Sequence, residues 1–260
     1  MKLNLTGKSA LITGASKGIG EATAKVLAAE GCILHLAARN GDAMQQLKQT
    51  LESEYSATVH IYPLDLSSNA TMETLAADVG PVDILINNAG DIPAGSLEVV
   101  DDTSWRAGFD LKVFGYISLC RLYYPQMKAA HSGVIINVIG NSGENWDASY
   151  IAGSTGNAAL MSFTKALGGR SMDDGIRVVG INPGPVATDR MLKIMKRKAI
   201  DMLGDESRWD ELFDLYPGKR PATSEEVADL VAFMSSERAG YISGTNITID
   251  GGIAARGSVI

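Results

Sequence analysis

A chain of 260 residues with 45% hydrophobic and 20% charged side chains can bury a large core, which excludes a disordered or fibrous protein. With 23 basic against 30 acidic residues the net charge is -7 and the pI near 5.0, so no basic field recruits nucleic acid or anionic lipid. The opening MKLNLTGKSALITG holds one short apolar run, too short for a signal-peptide core or a membrane span, and a cytoplasmic protein is expected.

The chain alternates β-rich runs with helical patterns, the signature of βαβ units and a parallel sheet. SALIT (9–13) reads as the first strand, followed by a Gly-rich turn and a helix over GEATAKVLAAEG that Gly31 ends. CILHLAA (32–38) and AMQQLKQTLESEY (43–55) repeat the unit, as do TVHIYPLDL (58–66) with TMETLAADVG (71–80), and VDILINNAG (82–90) with a long helix near 104–130. GVIINVI (133–139), a helix over 149–169, GIRVVGINPGPV (175–186), a helix over SEEVADLVAFMSS and a last strand in GTNITIDGG complete the order. The pattern predicts one α/β domain over 1–260, with 188–220 as a lid inserted after the sixth strand. Its Met191, Leu192, Ile194, Met195, Met202 and Leu203 suit an apolar, adaptable cover, or equally a helix packed on the sheet. Cys32 and Cys120 lie in apolar stretches without CxxC spacing, and His35, His60 and His131 form no ligand pair, so buried thiols and no metal are expected.

TGASKGIG (13–20) places glycines 14, 18 and 20 between a strand and a helix. Gly14 permits a sharp turn, while Gly18 and Gly20 let backbone and helix approach a pyrophosphate whose charge the helix N-terminus stabilises. A carboxylate ending the second strand would bind a ribose 2'-hydroxyl; HLAARN has Ala38 and Arg39 there instead. Arg39, with Lys17 in the glycine turn, suits a 2'-phosphate, so NADP(H) is preferred and NAD(H) is possible.

With LDL (64–66), NNAG (87–90), NPGPVATD (182–189) and SGTNITIDGG (243–252) in this order, the chain resembles the short-chain dehydrogenase/reductase family over almost its whole length. The resemblance implies a single Rossmann domain with a doubly wound, seven-stranded parallel sheet, a homodimer or homotetramer, a small-molecule substrate, and a dinucleotide across the strand ends. It implies that Ser16 and Ile19 belong to the glycine motif, that Asp65 and Leu66 hold the adenine, and that Asn88, Ala89 and Gly90 line the adenosine ribose side. Pro183, Gly184, Val186 and Thr188 would hold the nicotinamide end.

The same resemblance implies a catalytic Tyr whose phenol a Lys four residues on makes more acidic, a Ser that binds the substrate oxygen, and an Asn that supports a water relay. This sequence departs at all four positions: Gly153 stands for the Tyr, Asn157 for the Lys, Gly140 for the Ser and Asp110 for the Asn. Tyr150, one turn upstream, is the nearest replacement acid, although the lean of helical side chains toward the N-terminus would point it away from Asn157. Ser142 would replace the missing Ser by a loop shift. Asn141, Glu144, Trp146 and Asp147 crowd the preceding loop, where they offer a new acid or, through Asp147 or Ser149, a helix cap. Gly153 and Gly156 each cost a helix about 1 kcal/mol relative to Ala, so a ligand or close packing should offset them.

Three functional readings fit these residues. One is an oxidoreductase that moves hydride to or from a small carbonyl, alcohol or imine at a non-standard site. Another is a non-catalytic dinucleotide-binding protein, a sensor or partner subunit. The last is a lyase or isomerase on the same fold.

Overall fold

The computed structural model describes residues 1–256, apart from the side chains at 190, 193, 194, 197, 198, 201 and 215. Ile194 of the expected apolar cover therefore lies outside the described side chains. The strands are β1 (Ser9–Thr13), β2 (Ile33–Ala38), β3 (Val59–Pro63), β4 (Ile84–Asn87), β5 (Gly133–Val138), β6 (Ile176–Pro183) and β7 (Thr245–Ile249). They form one parallel seven-stranded sheet in the order β3-β2-β1-β4-β5-β6-β7, as the alternation of elements predicts. The order reverses between β1 and β4, and the crevice beyond the carboxyl ends of these strands is where such a sheet receives a ligand.

Strand periodicity divides the core into two layers. In β1, Ala10 and Ile12 pack into one layer and Leu11 into the other; β4 repeats this with Ile84 and Ile86 against Leu85. Helices α1 (Gly18–Ala29), α2 (Gly41–Tyr55) and α8 (Ser224–Ser235) cover the first layer through Leu27, Met44, Leu51 and Val231. Helices α3 (Asn69–Val79) and α5 (Gly115–Ala130) cover the second through Leu75, Leu119 and Tyr123. Most inward positions of both layers are apolar, so these strands read as near-continuous hydrophobic runs, with Asn87 and Asn137 among the buried polar exceptions.

The long helix expected near 104–130 is two helices joined by a wider turn. Helix α4 (Asp102–Phe109), capped by the Asp101 carboxylate on Ser104 N at 2.8 Å, passes through a π-helical segment, Asp110–Phe114, into α5. Helix α6 (Ile151–Ser171) returns along the sheet, and Asn87, Asn137 and Thr164 link it to β4 and β5 by a buried chain of side-chain bonds at 2.9 Å each. After β6, helix α7 (Asp189–Leu203) and a 3-10 segment, Glu206–Leu215, share a small core of Met195, Ala199 and Leu212 with Trp209 and Phe213. Among the described residues, no helix is long and apolar enough to cross a membrane.

Candidate active site

The turn after β1 keeps its backbone bare at Gly14 and Gly20, where no side chain fits. A Cβ on Gly14, at φ +66°, would lie 2.9 Å from Ala89 Cα, and one on Gly20 would fall on the Gly14 carbonyl oxygen. Helix α1 begins at Gly18 with Lys17 as N-cap, and no side chain caps it, so the first-turn N–H groups remain open to an anion. Asn88 fixes the turn: its Nδ2 donates to Thr13 O at 3.0 Å, while Thr13 Oγ1 accepts from the N–H groups of Asn88 and Ala89 at 2.9 and 3.0 Å. Thus Asn88, read from the motif as lining the ribose, also serves as the clamp that holds strand ends β1 and β4 together.

A cleft of about 920 Å³ opens over this turn. Gly14, Ser16, Lys17, Gly18, Ile19, Arg39, Asp65, Leu66, Asn88, Ala89, Gly90 and Thr188 line it, whereas Gly20, Pro183, Gly184 and Val186 do not. Arg39 and Lys17 are exposed on its wall, and among the described residues no carboxylate is paired with either. Two cations and an uncapped helix terminus suit a dinucleotide carrying a 2'-phosphate. From the far side, Met191, Leu192, Trp209 and Phe213 face the same cleft.

At the end of β5 the space at two of the altered positions, Gly140 and Gly153, is taken by neighbouring side chains. A Cβ on Gly140 would sit 2.9 Å from Asn157 Nδ2, so the Asn157 amide occupies the space where the family resemblance expects a serine side chain. Asn157 Nδ2 donates to Ser142 Oγ at 2.7 Å, which ties Ser142, two residues beyond Gly140, to α6. A Cβ on Gly153 would fall on the Tyr150 ring, whose Cζ, Cε1 and Cε2 are its nearest atoms. Tyr150 therefore folds forward over Gly153 rather than back. The lean expected of helical side chains does not apply, because Tyr150 is the N-cap residue at φ -137° and ψ 43°, outside the first helical turn. Its backbone is held by a bridge to Gly95, with Gly95 N donating to Ser149 O at 2.8 Å.

Asp110 does not join this cluster. It starts the π-helical segment and its side chain is exposed, because the wider turn rotates it outward and brings Lys112 in. Lys112 is only 9% exposed; its Nζ donates to Asn157 Oδ1 at 2.8 Å and to the Ile139 carbonyl oxygen. Residue type and motif position pass over Lys112. Its helical phase does not: Lys112, Tyr116, Leu119, Tyr123 and Met127 share one buried face. The neighbouring Tyr116 phenol is no competing acid, since burial above all, and then the Tyr150 phenol, push it far above the usual range while its hydroxyl donates to Val138 O at 2.9 Å.

The loop before α6 is held by one local turn and by contacts to the end of the chain's last strand. The Asp147 carboxylate accepts from Ser149 N at 2.8 Å and from Ser149 Oγ at 2.6 Å, so it closes a turn and does not cap α6, whose N-cap Tyr150 makes no side-chain bond to the helix end. Asn141 donates to Asp250 at 3.1 Å, Glu144 accepts from Thr248 Oγ1, and Trp146 is 82% exposed at the rim. Gly156 is accounted for by packing: a Cβ there would press on Ile92 and Val113 at 3.0 and 3.1 Å.

Residues 8–199 match the family model described as short chain dehydrogenase. Nodulation protein G of Rhizobium sp. (strain N33) is 33% identical over 257 residues, spanning 96% of this chain and 98% of that one. NADPH-dependent reductase BacG of Bacillus subtilis (strain 168) is 32% identical, spanning 95% of this chain and 98% of that protein. The crystal structure of L-sorbose reductase from Gluconobacter frateurii, complexed with NADPH and L-sorbose, superposes with a TM-score of 0.90 at 32% identity, covering 98% of this chain and 99% of that one.

Proposed function

Because the chain belongs to the short-chain dehydrogenase family, we propose that it is an NADP(H)-dependent oxidoreductase acting on a small carbonyl, alcohol or imine through a rearranged proton-handling site. The observation that carries this reading is the glycine turn at an uncapped α1 terminus, faced by the cations Lys17 and Arg39. Related reductases named for NADPH support the choice of cofactor.

When bound, the nicotinamide supplies or accepts hydride. Gly14, Gly18 and the α1 N-terminus would hold the pyrophosphate, Arg39 and Lys17 the 2'-phosphate, and Asp65 and Leu66 the adenine. At the reacting end, Ser142 donates a hydrogen bond to the substrate oxygen and the Tyr150 phenol supplies its proton, a role that commonly contributes a factor of about 10² to 10⁴. Asn157 holds Ser142, and Asp110 stays in solvent. Segment 188–220 covers the apolar side of the cleft, with Trp209 and Phe213 excluding water. The protein works as a cytoplasmic homodimer or homotetramer.

The test is turnover of NADPH by the purified protein against ketoses including L-sorbose, simple ketones and the cyclic imine 1-pyrroline, followed by NADPH absorbance. The reading expects at least one substrate, and Tyr150→Phe should lower its kcat by about 100-fold or more. Tight NADPH binding with no turnover across the panel would favour a dinucleotide-binding sensor or partner subunit instead.

A further inference from the structure

We infer that Lys112 is a positioning residue: through Asn157 it fixes the direction in which the Ser142 hydroxyl donates. The inference rests on the reading that Ser142 binds the reacting oxygen. Its basis is the order of donors and acceptors in three consecutive contacts. An ammonium has three donors and no acceptor. With Lys112 Nζ 2.8 Å away, the Asn157 amide must therefore present its oxygen to Lys112. The amide nitrogen then faces Ser142 at 2.7 Å and can only donate, so Ser142 Oγ accepts and its own proton is turned away from Asn157. Reversing the amide would set an NH₂ group against the ammonium.

The fold provides for this arrangement at two points. The π-helical segment rotates Lys112 inward, and Gly90 leaves room for its stem, because a Cβ there would lie 2.8 Å from Lys112 Cδ. Burying an ammonium costs free energy even when it is hydrogen-bonded, so a methionine of similar length would fill the same space more cheaply. The charge has a function that methionine lacks: it polarises the amide, which polarises the serine, and successive bonds in a low-dielectric site strengthen one another. A serine whose oxygen already accepts from Asn157 is a better donor to negative charge developing on the substrate oxygen. Lys112 thus reaches the reaction from the α4–α5 segment rather than from α6.

The experiment compares S142A, K112M, N157D and the double variant K112M/S142A, using NADPH with L-sorbose or 1-pyrroline, whichever the wild type turns over. N157D is the sharpest variant: its carboxylate keeps the ammonium paired but accepts from Ser142, which reverses the serine proton. We expect K112M and N157D each to lower kcat at least tenfold, with NADPH affinity within about twofold of wild type. K112M/S142A should be no slower than S142A, because Lys112 acts only through the serine. Multiplicative losses in the double variant, or wild-type kcat in N157D, would overturn the inference. An unchanged S142A would instead overturn the reading on which it rests. An independent arm uses the cofactor-free protein: the side-chain amide NMR signal of Asn157 should shift in K112M and recover in K112R, whereas an unmoved signal refutes the contact. Should K112M not fold, N157D and K112R carry the test.

Discussion

Replacing Gly153 by Ala separates the stability of α6 from the placement of Tyr150. In a helix interior Ala is favoured over Gly by about 1 kcal/mol. The added Cβ falls on the far end of the Tyr150 ring rather than on backbone, so the ring can swing away from Gly153. Forcing the ring out of its present rotamer costs about 0.5–1.5 kcal/mol, similar in size and opposite in sign. The net change in stability should stay within about 1 kcal/mol, a melting-temperature shift of no more than about 4 °C for a chain of this size. Activity should respond quite differently. A displaced phenol forfeits most of the proton-transfer advantage, so kcat should fall by about 10² or more, close to the Tyr150→Phe value. Calorimetric melting paired with NADPH turnover measures both. Full activity in a Gly153→Ala protein whose Tyr150 ring has moved would refute Tyr150 as the acid, and a melting temperature lowered by 10 °C or more would show that the ring cannot yield.

Other expectations follow from the same structure. Arg39→Ala should weaken NADPH by roughly 10- to 100-fold while leaving NADH within about twofold, since hydrogen bonds between charged groups contribute about 1.5–3 kcal/mol; fluorescence titration reads both. Burial pushes the Cys32 and Cys120 thiols up to about 12, so neither should react with a thiol reagent at neutral pH until the protein unfolds. Burial, and then His60, holds His35 down at about 4, below its ordinary 6.5. Its folded form therefore stays neutral while the unfolded chain takes up a proton, so urea stability should decline as pH falls from about 6.5 to 4 and His35→Gln should flatten that decline.

Motif and periodicity made the strands and the glycine turn legible, because the signals for both are local. The strand runs carry their two-residue alternation in Ala10, Leu11 and Ile12, and the glycine turn announces itself by residue type. The reacting end is less legible because it depends on contacts between distant segments. Gly140, Gly153, Asn157 and Asp110 look like four independent losses when read along the chain. In space, the Asn157 amide fills the place beside Gly140 and Tyr150 fills the place over Gly153. The forward fold of Tyr150 depends on one non-helical φ/ψ pair, and the inward turn of Lys112 on a π-helical segment. Neither backbone feature has a residue signature strong enough to predict; only the helical phase shared by Lys112 and Tyr116 hinted at the second.

Lys17 and Arg39 beside the glycine turn fit this chain to a 2'-phosphorylated dinucleotide. Calorimetric titration of the cofactor-stripped protein with NADPH and, separately, with NADH tests it most directly. One site per chain should bind NADPH at least tenfold more tightly than NADH. Equal affinities, or no heat with either, would contradict it.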